Sequence, residues 1–477
     1  MNVYHLVESA AKQWPDKPAI HEQERSLNFM QLFQLCEACK NALLELGVTN
    51  GMAVGIMMRN SSSFIVALLA SVGAKAIAMP LSHQLKKAEL DDCIEQTGMQ
   101  VILDDFSGLE PGFESPFFIK IGDEKIRFSY TGKNKSQKVA AHVPNAAFIR
   151  FTSGTTGKSK GVIVSHQSTI ERIEAANKAL LLGPGDTVVW VLPMAYHFLV
   201  SIILYLRFGA AIAICKDFLA ASIIDYTNRF GGTLIYASPM HIRLLASDRS
   251  EKQMPSLKRI ISTSTAISTA YCEAFKKRFH LDVSQAYGII EIGLPIINLK
   301  KSVEHPDAVG NALPDYKVEV LDENFEVLPT NSVGKLAIQG PGMFDAYLSP
   351  AQLRKDVLIN NYFLTGDLAT KNEDGLITVC GREKSMINVS GNKVFPEEVE
   401  QVLLSHTFIK ACKVSGTVHP LLGEIVQAEV VLFAGQSIEK EALLDFCRMR
   451  LSTYKVPQQL YFVEDFEMTG SGKVKRN

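Results

Sequence analysis

The sequence predicts an α/β fold: a large N-terminal domain of mostly parallel sheets flanked by helices, carrying a small β subdomain, followed by a small α+β C-terminal domain. Three observations predict it. Strand-like and helix-like runs alternate from Ala53 to Cys215, the pattern of a sheet whose crossovers are helices. From Val309 the character changes to short extended runs and turns. A boundary falls near Gly381-Arg382-Glu383-Lys384, and the residues beyond it have a helix and strand pattern of their own.

In order, residues 1–50 read as a helix, short strands and a second helix ending near Gly47. Ala53–Met58 (strand), Ser61–Val72 (helix) and Ala76–Pro80 (strand) form a β-α-β unit. Lys86–Thr97 reads as helix and Val101–Leu103 as extended, whereas Asp104–Val143 is polar and shows no period. Ala146–Thr152 is a core strand, Ser165–Leu182 a helix, and the alternation continues through Thr187–Leu192, Phe198–Phe208 and Ala211–Cys215. Lys317–Leu321, Gly334–Gln339 and Leu376–Cys380 supply the β subdomain, residues 309–381. In the C-terminal domain, residues 382–477, helices are expected at Pro396–Leu404 and Lys440–Leu451 and strands at Ile409–Gly416 and Ala428–Leu432.

Composition narrows the class. With 477 residues, 47% of them hydrophobic, the chain can fill more than one core. The formal net charge is -1, from 49 basic and 50 acidic residues, so no basic surplus points to nucleic acid as a partner. The first apolar segment carries charges of both signs and does not read as a signal peptide. The apolar run Phe64–Ala74 is too short for a membrane span, and a cytoplasmic enzyme is expected. Eight cysteines scattered over such a chain are expected as free thiols, and Cys36 and Cys39 fall in a helical segment whose buried face accounts for them.

The stretch Phe151–Gly161, FTSGTTGKSKG, carries the chemistry. Glycines (Gly154, Gly157, Gly161) let backbone N–H groups turn toward an anion. Hydroxyls (Thr152, Ser153, Thr155, Thr156) add donors, and Lys158 and Lys160 add charge. A surface turn needs fewer donors. The kinase-type loop G-x-x-x-x-G-K-[ST] fails because Thr152 stands where its first glycine belongs. The loop is a polyphosphate cradle of another kind, placed after a strand as sheets of this type place their ligands.

Further motifs follow in order: LPMAYHF at 192–198, YGIIE at 287–291, GKLAIQGPGMFDAY at 334–347, FLTGD at 363–367, GREKSMINVSGNKVFPEEVE at 381–400, LSTYKVP at 451–457 and TGSGKVKR at 469–476. With the loop, they resemble the adenylate-forming enzyme superfamily of acyl- and aryl-CoA synthetases, peptide-synthetase adenylation domains and firefly luciferase. The resemblance implies activation of a carboxylic acid by ATP to an acyl-adenylate, pyrophosphate release, and transfer to a thiol. Negative charge grows on the α-phosphate in that reaction, so cations and donors must be aimed there.

By resemblance, Lys473, flanked by Gly470 and Gly472, would bridge carboxylate and phosphate. Glu291, with Thr155, would hold Mg²⁺ beside the phosphates. Asp367 would accept from the ribose hydroxyls, Arg382 would support the nucleotide from beyond the β subdomain, and Tyr287 with Gly288 would lie against adenine. His197 would sit between the nucleotide and acyl pockets. Lys384 would be the hinge of a mobile C-terminal domain, and Gly391 would line the route of a pantetheine thiol. ATP, Mg²⁺ and either CoA or a phosphopantetheine carrier protein are the implied cofactors and partners.

Four positions depart from the family pattern. Ser159 replaces a proline, Ile290 a threonine, Thr263-Ser264 a Gly-Gly pair beside adenine, and Lys335 a glutamate, the last expected to be a surface change. One lost phosphate hydrogen bond costs about 1.5–3 kcal/mol, which slows such an enzyme without silencing it. Tyr196 and His197 stand where amino-acid-activating relatives place an aspartate, which disfavours an α-amino acid. Phe198, Met240, Ile267, Ile289, Ile290 and Leu294 are expected to line an apolar pocket for an aryl or fatty acid. An adenylate-binding protein without catalysis is the alternative of another class.

Overall fold

The structure, a computed structural model, describes residues 2–108, 112–113, 116–152, 160–389, 392–419 and 423–467. Among the described residues the strands form two nine-stranded sheets, a four-stranded sheet and a five-stranded sheet. One large sheet runs in space through Asn311–Ala312, Gly293–Ile297, Val283–Ile289, Arg259–Ser262, Leu234–Ala237, Thr187–Trp190, Ala211–Ile214, Pro18–Glu22 and Arg25–Asn28. Its interior pairs are parallel, and antiparallel hairpins close both ends. The second holds a parallel centre of Ala146–Thr152, Ile77–Leu81, Ala53–Met57 and Val101–Asp104 between antiparallel borders.

The helix Ser62–Gly73 explains how the sheets share a core. Ser61 caps it by accepting from the Phe64 N–H at 3.0 Å, and every residue from Ser63 to Val72 is buried. A helix apolar on all sides must lie inside. Around it one continuous cluster joins Val54, Ile56 and Phe148 of the second sheet to Val188, Trp190 and Ile212 of the first. Cys36 and Cys39 are buried on the helix Phe29–Glu45, as their spacing predicts.

The borders differ from expectation. Residues 104–143 are not irregular throughout: Phe117–Ile121 and Glu124–Tyr130 form a hairpin that turns at Gly122 (φ +58°) and pairs with Val101–Asp104. Ile126 and Phe128 alternate inward, and Arg127 makes a buried double contact of 2.9 Å with Asp104. A strand, Lys160–Ser165, also intervenes between the glycine-rich stretch and the helix His166–Leu180.

Four antiparallel strands, Lys317–Leu321, Gly334–Gln339, Phe363–Lys371 and Ile377–Arg382, form the β subdomain. Arg382 ends its last strand opposite Asp367, and the turn Glu383–Ser385 follows. Ala346–Tyr347, expected within the subdomain, pairs instead with Val162 and Ile163 of the second large sheet. Beyond the turn, a sheet with the long hairpin Ile409–His419/Gly423–Leu432 packs against the helices Pro396–Leu404 and Lys440–Arg448.

Candidate active site

Ala146–Thr152 and Lys160–Ser165, the strands on either side of the expected phosphate-binding stretch, pair antiparallel with Thr152 opposite Lys160. Ser153, Gly154, Thr155, Thr156, Gly157, Lys158, Gly391 and Lys473 lie outside the described residues, and for Thr152 and Lys160 only the strand backbone is described.

Glu291 occupies the turn of the hairpin Val283–Ile289/Gly293–Ile297, where Ile289 faces Gly293. Two glycines let these strands approach: a Cβ on Gly288 would lie 2.5 Å from the Gly293 carbonyl oxygen, and Gly293 has φ +103°. The Tyr347 hydroxyl donates to Glu291 Oε1 at 3.2 Å, and the Phe344 N–H donates to the Glu291 carbonyl at 2.6 Å. Burial pushes the Glu291 carboxyl above its ordinary range, while the charges of Arg150 and Arg382 pull it back. Ile290, where the family places a hydroxyl, turns its side chain into the core at 7% exposure.

Behind this turn stands Arg172, wholly buried on the helix His166–Leu180. Its Nε and Nη2 donate to the Gly342 carbonyl at 2.9 and 2.6 Å, and Nη1 donates to the Ile290 carbonyl at 3.0 Å. One guanidinium thereby fastens the Glu291 turn to the segment around Gly342. The sequence reading passed over it, although its place among Ser168, Thr169, Ile173 and Ala176 on the buried helix face was a signal.

Asp367 is 5% exposed. Gly366, at φ +75°, turns the strand just before it, and the Asp367 N–H donates to Thr365 Oγ1 at 3.1 Å. Arg382 Nε lies 2.7 Å from Asp367 Oδ1, and the Tyr287 hydroxyl donates to Oδ2. Burial and the adjacent Asp367 charge raise the Tyr287 phenol well above its ordinary range. Tyr287 therefore reaches Asp367 through its hydroxyl, and Arg382 acts from within the β subdomain rather than from beyond it.

Thr263 and Ser264 follow the strand Arg259–Ser262. Thr263 is buried with its side chain bonded to Tyr236, whereas Ser264 adopts φ +80°, the conformation the family's glycine would take freely.

His197 ends the short helix Met194–His197 with its ring 6.3 Å from that of Trp190. Its neighbour Tyr196 bonds Ser82 and lies under Arg150, whose guanidinium carbon is 5.4 Å from the ring centre. Phe198, Ile267 and Leu294 are core residues at 1%, 1% and 3% exposure, while Met240 is half exposed. The expected apolar pocket lining is thus mostly packing.

Lys384 is exposed in the Glu383–Ser385 turn. Lys335 is not a bland surface change: it is 16% exposed and bridges Glu383 at 2.6 Å and Glu323 at 2.9 Å, tying the β subdomain to the boundary turn.

Among the described residues no group of three or more histidine, cysteine or acidic side chains could hold a metal alone. Mg²⁺ takes one or two carboxylates and completes its shell with phosphates and water, and the half-buried Glu291 could supply one such carboxylate. No helix among the described residues is long and apolar enough to cross a membrane.

Known proteins resemble this chain along nearly its whole length. A family model described as AMP-binding enzyme matches residues 7–348, and one described as AMP-binding enzyme C-terminal domain matches residues 398–473. An oxalate–CoA ligase of Arabidopsis thaliana is 25% identical over 496 residues, covering 99% of this chain and 96% of its own. A 2-succinylbenzoate–CoA ligase of Bacillus licheniformis is 25% identical over 474 residues, covering 98% and 97%. The solved o-succinylbenzoate CoA synthetase of Bacillus subtilis, in complex with its acyl-adenylate intermediate, shares the fold with a TM-score of 0.86 at 21% identity, over 98% of this chain and 96% of that one.

Proposed function

The chain belongs to the AMP-binding enzyme family, and from that premise we propose that it joins a carboxylic acid to the thiol of CoA in two steps. In the first, a carboxylate oxygen bonds the α-phosphorus of ATP while the bond to the bridging oxygen breaks, and pyrophosphate leaves with that electron pair. In the second, the thiol sulfur bonds the acyl carbon, its proton is released, and AMP departs with the acyl–oxygen electron pair.

The observation that carries this reading is the convergence of Arg382 and Tyr287 on Asp367, with the Arg382 charge also acting on Glu291. A carboxylate aimed in this way is the acceptor that ribose hydroxyls would use. Glu291 would hold Mg²⁺, whose charge would screen the phosphates. Thr152, Ser153, Gly154, Thr155, Thr156, Gly157, Lys158 and Lys160 would cradle them, and Lys473 would bridge the reacting carboxylate and the α-phosphate. Lys384 would be the hinge and Gly391 would line the thiol's route. The curated relatives named for CoA favour CoA over a carrier protein as acceptor. The acid lacks an α-amino group, since Tyr196 and His197 offer no carboxylate to an ammonium.

ATP–pyrophosphate exchange across aryl, fatty, dicarboxylic and amino acids tests the first step. Exchange with at least one acid, followed by thioester formation with CoA, is expected. No exchange with any acid would leave the chain an adenylate-binding protein. Thioester formation with a holo carrier protein and none with CoA would reassign the acceptor.

A further inference from the structure

Two arginines lie inside the large domain near Glu291, and they are used differently. Arg172 spends three N–H groups on backbone carbonyls. Arg150 does not. Its Nε is sealed from solvent without a hydrogen-bond partner, and among the described residues its guanidinium makes no ion pair. Its guanidinium carbon lies 5.4 Å from the centre of the Tyr196 ring. Charges that act on it from the surrounding elements are Glu291 and Tyr196, which favour the cation, and Arg172, which opposes it. None of these satisfies the buried N–H.

The strand explains where the group points. In AAFIRFT, Phe148 belongs to the core shared by the two large sheets and Ile149 to the opposite face. Alternation puts Arg150 on the Phe148 face, and its register partner Val162 is in the same shared core. Arg150 precedes Thr152, the last residue of this strand, by one pleat, about 6.6 Å. A charged residue in an otherwise apolar central strand is costly unless an anion pairs with it.

We infer that Arg150, backed by Tyr196, receives a second anionic group on the acid substrate, so that the substrate class is a dicarboxylate or other acid with an anion beyond the carboxyl that reacts. This rests on the acid–CoA ligase reading above. The acids named for the curated relatives, oxalate and 2-succinylbenzoate, each carry two carboxylates, in keeping with it. A guanidinium suits the role because its fork holds a carboxylate by two parallel N–H bonds. A plain fatty acid would leave the cation unanswered. Arg150 is then a specificity-determining residue that the loop motif beside it does not reveal.

The test compares matched acids, succinate against butyrate and phthalate against benzoate, by ATP–pyrophosphate exchange with wild type, Arg150→Gln and Arg150→Lys. Wild type is expected to favour the diacid of at least one pair. Arg150→Gln should cut the ratio of kcat/KM for diacid over monoacid at least tenfold through KM, and Arg150→Lys should recover part of it. Arg150→Leu should unfold at the same or higher temperature without ligand, because it removes an N–H sealed from solvent without a partner. Wild-type preference for monoacids overturns the inference and leaves the ligase reading standing. A rise in the KM for ATP with every acid reassigns Arg150 to the nucleotide and also overturns it. If no acid supports exchange, the ligase reading fails, and thermal shifts of wild type and Arg150→Gln by the same diacids decide the anion site: stabilisation lost in the variant supports it, none in wild type sinks it. An Arg150→Leu protein that melts well below wild type marks the residue as structural and ends the proposal.

Discussion

Asp367 and Arg382 face each other across an antiparallel ladder, and their side chains close the pair at 2.7 Å from Nε to Oδ1. The aspartate is nearly buried at 6% side-chain exposure while the arginine is 46% exposed. The pair therefore matters less as a stabilising ion pair than as a device that aims a carboxylate. Tyr287 completes the aim from the adjoining hairpin.

Arg382→Gln should accordingly raise the KM for ATP about tenfold, the loss of one charge-assisted bond, with little change in stability. Tyr287→Phe should show a smaller rise. Equal KM values in all three proteins, measured by pyrophosphate exchange, would remove Asp367 from the nucleotide site.

Ser264 holds a left-handed backbone that glycine adopts without strain. Ser264→Gly should stabilise the protein by about 1 kcal/mol and lower the KM for ATP if the serine crowds the base. Denaturant midpoints of the Gly and Ala variants check the first expectation, since alanine keeps the strain.

Arg172 is the fastening of the Glu291 turn. Arg172→Met should cost roughly 3 kcal/mol or more, because buried carbonyls lose their donors. Arg172→Lys should recover little, since an ammonium lacks the fork that spans both carbonyls. A Mg²⁺ requirement shifted to higher concentration in Arg172→Lys is expected, and urea unfolding with a magnesium titration measures both.

Glu291 titrates above its unfolded value of 4.5 because burial penalises the carboxylate. The folded state then holds a proton that the unfolded chain releases as pH rises past 4.5, so this group's contribution to stability falls as pH climbs through the folded pKa. Glu291→Gln should therefore be more stable than wild type at pH 7 to 8, with the gap closing toward pH 5. A gap that does not change with pH would show that Glu291 titrates normally. The variant should also lose the response to magnesium.

Much of this molecule was legible before any coordinates. The helix Pro396–Leu404 begins and ends where its proline start and apolar spacing place it, and Cys36 and Cys39 lie buried on the helix that their spacing predicts. These features are local: capping, periodicity and turn chemistry act over a few residues and are written in them.

What the sequence alone determined, then, is much of the order of elements and the family, and it named Glu291, Asp367 and Arg382 as candidates. What only the tertiary structure decided is partnership. A strand run does not encode its neighbour's direction, so the antiparallel borders of both large sheets, and the Phe117–Tyr130 hairpin with them, emerged only from pairing. Whether an arginine N–H is spent is equally non-local: Arg172 finds carbonyls 118 and 170 residues away, whereas among the described residues the Arg150 Nε finds no acceptor. Burial converts that difference into energy, because an N–H sealed from water without a partner is costly where the same group in water is not.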